Sequence, residues 1–351
     1  MGKDSAYYKQ LTKTKSEYIK EIKDQLPVHT HSFIDNCVLS YQIGTALGYA
    51  RDLLDFYEYL HICNPIVAKI KLNVIPHEII EKLNSRDIDA YQTHLITSRQ
   101  LNERSTARKM AAIRNYFAYE TRQGFLDEDI TLKAAKNKRI TKKSITRLDQ
   151  HDVKSLVNAV ENSQVATEHA KIYAEATAKR DLAIITLLLH TGMRVSECAG
   201  LDIDDVDFKD NTLKIVRKGG NESKLMINEP IRNTLRDYII NERPTLVETD
   251  SESALFISLK HNRMSVRSIQ RMVEKYGKSS GLNTTLSPHK LRRTFGTALY
   301  NKTGDIYMVA DVLGHSDINT TAAHYAAIDE EHKRQAADVD LYGEDKNTSD
   351  F

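Results

Sequence analysis

Apolar residues recur at helical spacing through the first third of the chain. In the segment from Thr45 to Leu60, Ala50, Leu53 and Tyr57 precede Leu60 at steps of three and four residues, which is typical of an amphipathic helix. The same spacing predicts three further helices: His29 to Tyr41, one capped by Ser85 that carries Ile88, Tyr91 and Leu95, and one from Ser105 or Thr106 to Gly124 that carries Met110, Ile113 and Phe117. Short polar connections join these segments, so we predict a small helical bundle.

After residue 148 the pattern becomes mixed. Leu213 to Val216 and Leu225 to Asn228 predict two short strands around Gly219 to Glu222, a hairpin signal, and Ala254 to Ser258 predicts a third strand. The predicted helices of this part are one capped by Asp149, then Arg180 to His190, Pro230 to Asn241, Ser265 to Gly281, Pro288 to Thr303 and Asp305 to Leu313. The predicted fold class is therefore mainly α, with a small antiparallel sheet in the second domain.

Composition agrees with a helical chain. Only 14 glycines and 6 prolines occur among 351 residues, which argues against disorder and against a turn-rich all-β fold. The longest apolar run, Leu182 to Leu189, is too short to span a membrane, and the N-terminus lacks the apolar core of a secretory signal. Three widely spaced cysteines, Cys37, Cys63 and Cys198, indicate buried thiols in a reducing cytosol rather than a disulfide framework or a zinc site. We therefore expect a cytoplasmic protein with no membrane partner.

The net charge of +2 conceals an uneven distribution. From residue 329 onward, eight acidic residues oppose three basic ones, so the first 328 residues carry a net +7. Between Lys133 and Arg147 there are seven basic residues and no acidic one, which indicates either a solvated linker or a linker that lies on a polyanion. The predicted organisation is an N-terminal helical extension (1–27), a first domain (28–132), a basic linker (133–147), a second domain (148–328) and an acidic tail (329–351).

Four segments of the second domain combine cations with sharp turns. They are His190 to Glu197, Arg217 to Gly220, Ser287 to Arg293 and Leu313 to Ser316, and Tyr325 follows His315 by ten residues. The first segment presents Arg194 after a glycine turn, and the second places Lys218 at the tip of the hairpin. The third places His289 and Arg292 three residues apart on the first turn of a helix, and so on one face.

Together these side chains suit one task. Two arginines offer planar, permanently charged guanidinium groups to the oxygens of a phosphate. Histidines and a lysine supply proton donors and acceptors. A tyrosine supplies an oxygen nucleophile that needs activation, because its ordinary pKa is about 10. Since the segments contain no cluster of Asp and Glu residues that would hold Mg²⁺, the pattern predicts phosphodiester transesterification without a metal or other cofactor.

These motifs resemble those of the tyrosine recombinases, the family of phage integrases and Xer-type chromosome-dimer resolvases. The family's arginine box, T-G-hydrophobic-R-x-S-E, matches Thr191 to Glu197. In the family's order and spacing, its hairpin lysine falls on Lys218, its H-x-x-R on His289 to Arg292, its L-G-H on Leu313 to His315 and its nucleophile on Tyr325. The resemblance is strong over residues 149–328 and extends to residues 40–125, where T-A-x-x-Y-A-x-D-L-x-x-F-x-x-Y-L resembles the SAM-like core-binding domain.

The resemblance implies a site-specific DNA recombinase that uses a 3′-phosphotyrosyl intermediate and no ATP. Tyr325 would attack a DNA phosphate and release a 5′-hydroxyl group. Arg194 and Arg292 would stabilise the charge of the pentavalent transition state, and His315 would donate a further hydrogen bond.

The hairpin lysine and two further residues complete the implied site. Lys218 would protonate the leaving 5′-oxygen, His289 would assist as an acid or base, and Glu197 would orient the pocket. Lys224, across the hairpin turn, is a rival for this lysine position. Lys218 is favoured because it precedes the glycine pair at the family's distance from Arg194.

The chain departs from the family pattern at a few positions. Arg293 stands where many members have histidine, and it either touches DNA or is a surface charge. The step from the L-G-H histidine to the tyrosine is one residue longer than in many Xer-like members. Tyr300 and Tyr307 are rival nucleophiles, although both fall on predicted helices and are expected in the core. His324, beside Tyr325, is interpreted as structural or close to DNA.

Double-stranded DNA is the expected partner. Arg104 and Arg108 share a predicted helix face in the first domain, where they either contact DNA or belong to a solvated face. The linker residues expected to lie against phosphates are Lys138, Arg139, Lys142 and Lys143.

The acidic tail is expected to take part in assembly. The resemblance implies a tetramer on two DNA sites in which the C-terminal segment docks on a neighbouring copy, with Ala336, Val339 and Tyr342 as apolar contacts; the alternative is a disordered end. Off DNA, the expected state is a monomer or dimer. Accessory or directionality proteins are possible further partners. A type IB topoisomerase-like nickase and an architectural DNA-binding protein with a vestigial site are the rival functions.

Overall fold

Amphipathic helices form the first of the two units into which the chain divides, Asp4–Lys142 and Lys143–Phe351. The computed structural model describes residues 6–136, 147–162, 168–217, 220–248, 252–282 and 285–314. In the described part of the first unit the helices are α1 (Ala6–Gln25), α2 (His31–Ser40), α3 (Ile43–Cys63), α4 (Glu78–Glu81), α5 (Ser85–Thr97) and α6 (Glu103–Arg122). The helical fold expected for this unit is confirmed.

Asparagine side chains fix where two of these helices begin. The Asn84 side chain accepts a hydrogen bond from the backbone N–H of Arg86 at 2.9 Å, and Asp87 closes a capping box with it. The prediction of Ser85 as the cap was therefore wrong by one residue. Likewise Asn102 caps α6, which begins at Glu103 rather than at the predicted Ser105 or Thr106. In both cases the amide oxygen satisfies a backbone N–H group that the first helical turn leaves without a partner.

Aromatic residues fill the core of the first unit around α3. Phe56 and Tyr57 are fully buried, and the ring of Phe56 lies 5.0 Å from that of Tyr91, centroid to centroid. The buried Tyr57 hydroxyl has two hydrogen-bond partners: Nε2 of His29 at 2.8 Å and the Tyr116 hydroxyl at 3.1 Å. Buried polar groups of this kind need such partners, because an unpaired one destabilises the fold.

The second unit is mainly helical with one small sheet. Its helices in the described ranges are α7 (Gln150–Glu161), α8 (Glu168–Glu175), α9 (Ala178–Thr191), α10 (Val195–Ala199), α11 (Glu229–Asn241), α12 (Arg243–Leu246), α13 (Val266–Ser279), α14 (Pro288–Thr303) and α15 (Ile306–Leu313). Its strands are β1 (Val206–Asp207), β2 (Thr212–Val216) and β3 (Glu222–Met226). The α9 helix is buried almost throughout and forms the centre of the core.

The sheet is antiparallel in the order β1–β2–β3. Lys214 pairs with Lys224 and Val216 with Glu222, so the hairpin begins where β2 ends. The third strand predicted at Ala254 to Ser258 was wrong. That segment forms only isolated bridges, from Ala254 to Asp202 and from Ile257 to Arg263. An apolar run without alternation does not distinguish a strand from other buried backbone.

Two cysteines are buried as expected, but the third is not. Cys37 and Cys198 lie in the core, whereas Cys63 is exposed at the end of α3. No helix in the described residues is long and apolar enough to cross a membrane.

The His29 ring makes the stability of the first unit depend on pH. Burial, reinforced by the nearby His77 and His31, lowers the pKa of His29 to about 4 from its usual 6.5. Because the folded state holds this ring neutral, its contribution is complete above pH 6.5 and is lost as the pH falls towards 4. We expect His29→Gln to reduce the loss of unfolding free energy between pH 7 and pH 4.5 by about 2 kcal/mol, as measured by urea unfolding at both pH values. An unchanged pH dependence in the variant would contradict this.

Candidate active site

The turn after α9 brings three helices together at a glycine. Gly192 has a left-handed backbone with φ of 59°, which ends the helix. A Cβ atom at this position would lie 2.5 Å from Cδ1 of Phe295 on α14 and 2.8 Å from Cδ2 of Leu313 on α15. Glycine is therefore required both for the turn and for the close packing of the two later helices against it.

Arg194 follows this turn and is held by a buried carboxylate. Its Nη1 donates to Oε1 of Glu197 at 2.9 Å, and its backbone N–H donates to Oε2 at 2.7 Å. Nη2 donates to the carbonyl oxygen of Gly314 at 2.8 Å. The side chain remains 29% exposed. Since a guanidinium has five N–H donors, three remain available to a ligand as far as the described residues show.

Arg292 is the fifth residue of α14 and is buried. Ser287 caps this helix, and Pro288 occupies its first turn. Nη1 of Arg292 donates to the carbonyl of Gly192 and Nη2 to the carbonyl of Leu313, both at 2.6 Å. This arginine therefore joins the turn after α9 to the end of α15.

A third arginine, which the sequence analysis did not single out, reaches the same place. Arg217, directly after β2, donates from Nη2 to the carbonyl of Val312 at 2.8 Å and from Nη1 to that of Leu313 at 3.0 Å. We call Arg194, Arg217 and Arg292 the arginine cluster. Its members bind the last carbonyls of α15, which no intrahelical N–H group satisfies and which carry the negative end of the helix dipole.

Glu197 partly balances the charge of the cluster. Its carboxylate is only 3% exposed, and Oε2 also lies 3.7 Å from Nη1 of Arg217. Burial lowers the pKa of Arg217 and Glu197 opposes that shift. The carboxylate of Asp311 on α15 also raises the pKa of Arg217. Among the described residues, these two carboxylates against three guanidinium groups still leave a net positive site that is suited to an anion.

The other predicted catalytic residues are placed only in part. His289 is exposed on the first turn of α14. Three lie outside the described residues: Lys218, His315 and Tyr325. The described chain nevertheless ends at Gly314, so His315 directly follows a residue that Arg194 holds.

The rival residues occupy different environments. Tyr300 is partly buried and packs against the buried pair Val309 and Leu313. Tyr307, which was expected in the core, is 72% exposed on α15, so that expectation was wrong. Lys224 is exposed on the sheet face where it pairs with Lys214.

The candidate DNA contacts also differ in exposure. Arg104 is exposed, and Arg108 is 57% exposed while forming an ion pair with the buried Asp52. The linker candidates lie outside the described residues: Lys138, Arg139, Lys142 and Lys143. Arg293 is partly buried, and its Nε has no hydrogen-bond partner among the described residues.

A basic stripe on α13 was missed from the sequence. Arg267, Arg271 and Lys278 are exposed, and their spacing of four and seven residues puts them on one face of this helix. Glu274 lies on the same face, where it forms an ion pair with Lys278 at 2.8 Å. The four- and seven-residue spacing of these cations within the predicted helix Ser265 to Gly281 was the signal that could have found them.

One group of possible metal ligands occurs in the described ranges, at Asp149, His151 and Asp152. Asp149 and Asp152 already form the capping box of α7. The group does not include any residue of the arginine cluster.

The buried position of Glu197 gives a direct test of this arrangement. Glu197→Gln removes the negative charge between Arg194 and Arg217, so we expect the free energy of unfolding to fall by about 2–4 kcal/mol. Glu274→Gln is the matched control, because that glutamate, whose side chain is 41% exposed, also pairs with a cation at 2.8 Å and should contribute less than about 1 kcal/mol. Equal losses in urea unfolding of the two variants would contradict the assigned role of Glu197.

Comparison with known proteins agrees with the motifs. The model of the phage integrase family matches residues 146–332, and that of the phage integrase N-terminal SAM-like domain matches residues 37–124. The tyrosine recombinase XerC of Alcanivorax borkumensis is 29% identical over 297 residues, which cover 84% of this chain and 86% of that protein. The tyrosine recombinase XerD of Staphylococcus epidermidis is 29% identical over 278 residues, covering 79% and 86%.

The fold is also similar to solved structures. The XerH site-specific recombinase bound to palindromic difH substrate, in a post-cleavage complex, matches with a TM-score of 0.65 and 21% identity over 88% of this chain and 83% of that chain. Because the family match covers more than half of the chain, and the curated relatives match across both units, the chain belongs to the phage integrase family and is a tyrosine-type site-specific recombinase.

Proposed function

We propose that this recombinase cuts and rejoins DNA by transesterification at Tyr325, through a 3′-phosphotyrosyl intermediate and without ATP or a metal ion. The observation that carries the proposal is the arginine cluster, which binds the backbone up to Gly314. The next residue is His315, and Tyr325 follows ten residues later. The arginine cluster therefore binds the backbone just before, in sequence, the segment that is proposed to supply the nucleophile.

The proposed reaction exchanges one ester for another. The Tyr325 oxygen forms a bond to phosphorus as the bond from phosphorus to the 5′-oxygen breaks. The phenol proton leaves to a base, and the departing oxygen gains a proton to become a 5′-hydroxyl. The phosphotyrosyl bond keeps the energy of the original ester, so a 5′-hydroxyl from another strand reverses the step and joins the strands.

The arginines would stabilise the charge that develops on the phosphate. Arg194 has solvent access and N–H donors that no described residue uses, which suits it to the non-bridging oxygens. In this proposal Arg292 and His315 complete the anion pocket, and Glu197 orients Arg194 through the hydrogen bonds described above.

Proton transfer is assigned to two residues that are close in sequence to members of the arginine cluster. Lys218 follows Arg217 in the chain and would protonate the leaving 5′-oxygen. His289, three residues before Arg292 on α14, would accept the proton of the tyrosine or return it in the reverse step.

Binding of double-stranded DNA is supported by the exposed charges of both units. The stripe Arg267, Arg271 and Lys278 on α13, and Arg104 on α6, would contact phosphates without distorting the fold. The linker cations are proposed to do the same. The structurally similar XerH site-specific recombinase was solved bound to its palindromic difH substrate, which favours this partner. A cytoplasmic location is proposed with it.

Strand exchange between two sites is proposed to require a tetramer, with the acidic tail docking on a neighbouring copy. Relatives named XerC and XerD favour recombination over a nickase. The complete set of candidate side chains disfavours a vestigial site, which would have lost some of them.

A nicked suicide duplex tests the reaction directly. Duplexes selected from a random-sequence pool by binding to the protein are nicked beside the cleaved position, so that the released fragment diffuses away and the covalent complex accumulates. We expect a complex that resists denaturing electrophoresis for the wild type and none for Tyr325→Phe, a loss of more than about 10³-fold.

Tyr300→Phe and Tyr307→Phe are the matched controls, and both should keep the covalent complex. A complex that survives Tyr325→Phe would refute the assigned nucleophile. If the wild type forms no covalent complex with any of the duplexes that it binds, the result would favour an architectural DNA-binding protein.

A further inference from the structure

The side chain of Arg217 connects the hairpin to the end of α15. It is 11% exposed, and its two terminal nitrogens donate to consecutive carbonyls, of Val312 and Leu313. Its own backbone is fixed in the hairpin, because its N–H donates to Asn221 at 2.8 Å and its carbonyl accepts from Gly220 at 3.0 Å. The planar guanidinium thus bridges two backbone segments that are nearly a hundred residues apart in sequence.

The helix end is shaped to accept this group. Gly314 has φ of 64°, and a Cβ atom there would lie 3.0 Å from each of three guanidinium atoms of Arg217, namely Cζ, Nε and Nη1. Because the three distances are equal, this Cβ position lies above the plane of the guanidinium group and not at its edge. Any larger residue at 314 would displace it.

Each partner in this contact precedes a candidate catalytic residue. Arg217 is followed by Lys218 and Gly314 by His315, and consecutive Cα atoms are about 3.8 Å apart. The contact between Arg217 and the end of α15 therefore limits how far the Cα atom of Lys218 can be from the Cα atom of His315.

The loss of this contact would not affect both sides equally. Without Arg217, the helix end keeps the hydrogen bonds from Arg292 to Leu313 and from Arg194 to Gly314. In the described ranges, by contrast, the hydrogen bonds that join the sheet to α15 are those of Arg217. The hairpin would thus lose its hydrogen bonds to α15, while Leu213, Ile215 and Leu225 would still hold its strands in the core.

We propose that Arg217 is a positioning residue that holds the hairpin, and with it Lys218, at the distance from α15 at which the lysine protonates the leaving 5′-oxygen. This inference rests on the proposed function, since it assigns Arg217 a role in the same reaction. Both terminal nitrogens contribute, because the planar guanidinium donates to two carbonyls in a fixed geometry, whereas a lysine in its place offers a point charge on a flexible chain.

A sulfur-substituted substrate separates this role from a general effect on the site. In a matched suicide duplex, sulfur replaces the oxygen that bridges the scissile phosphorus to the 5′ carbon. A thiol has a pKa of about 8.5 and leaves without being protonated, whereas an alcohol does not. We expect Arg217→Ala to cleave the oxygen duplex about 10–100-fold more slowly than the wild type but the sulfur duplex within about 3-fold of its rate.

Matched variants make the result specific. Lys218→Ala should show a larger loss on oxygen and the same recovery on sulfur, and Arg217→Lys should fall between Arg217→Ala and the wild type. Arg243→Ala is the control for a lost arginine, because Arg243 also donates to two backbone carbonyls, of Glu252 and Ala254, but far along the chain from the hairpin. It should show no difference between the two duplexes. Cleavage of the sulfur duplex itself reports that Arg217→Ala is folded and retains its nucleophile.

Each outcome decides the inference. If Arg217→Ala cleaves both duplexes more slowly to the same extent, or neither more slowly, the inference is overturned. The proposed function still stands in that case, provided that the wild type forms its Tyr325-dependent covalent complex. Failure of sulfur to rescue Lys218→Ala would instead show that Lys218 is not the acid, which removes the basis for positioning it. A wild type inert on both duplexes would overturn the proposed function and this inference together.

Discussion

The site of the second unit depends on the binding of guanidinium groups to the C-terminal end of one short helix. The carbonyls of residues 312–314 have no N–H partner within α15, and Arg194, Arg217 and Arg292 supply it. These arginines come from three separate parts of the unit. Among the described residues, each guanidinium group uses one or two of its five N–H groups to bind backbone carbonyls. These contacts fix the positions of the guanidinium groups without using all their donors.

The same contacts explain why the fold brings its motifs together. Gly192 lets α14 and α15 pack on the end of α9, which brings Arg292 and Arg194 to the same helix end. The short sheet brings Arg217 there from the other side. Three cations with one buried carboxylate, Glu197, leave positive charge that the carbonyl dipoles only partly satisfy. A bound phosphate would supply the missing negative charge.

Features that depend on the type of side chain could be predicted from the sequence, whereas features that depend on contacts of backbone groups could not. Arg194 and Arg292 were found because their motifs carry recognisable neighbours, and helical periodicity placed most of the helices. Arg217 was missed because its partners are carbonyls 95 and 96 residues away, which leave no trace in residue type. The segment Ala254 to Ser258 looked like a strand because it is apolar, but pairing depends on which backbone lies beside it.

The arginines bind the helix end, and they are proposed to stabilise phosphate charge as well. A substrate with a neutral phosphate separates the second role from the first. Replacing a non-bridging oxygen of the scissile phosphate by a methyl group removes its charge. If Arg194 acts on that charge, Arg194→Ala should lose about 10²–10³-fold in cleavage rate on the ordinary duplex but less than about 10-fold on the methylphosphonate duplex. An equal loss on both duplexes would contradict the account, because Arg194 would then serve only to hold Gly314.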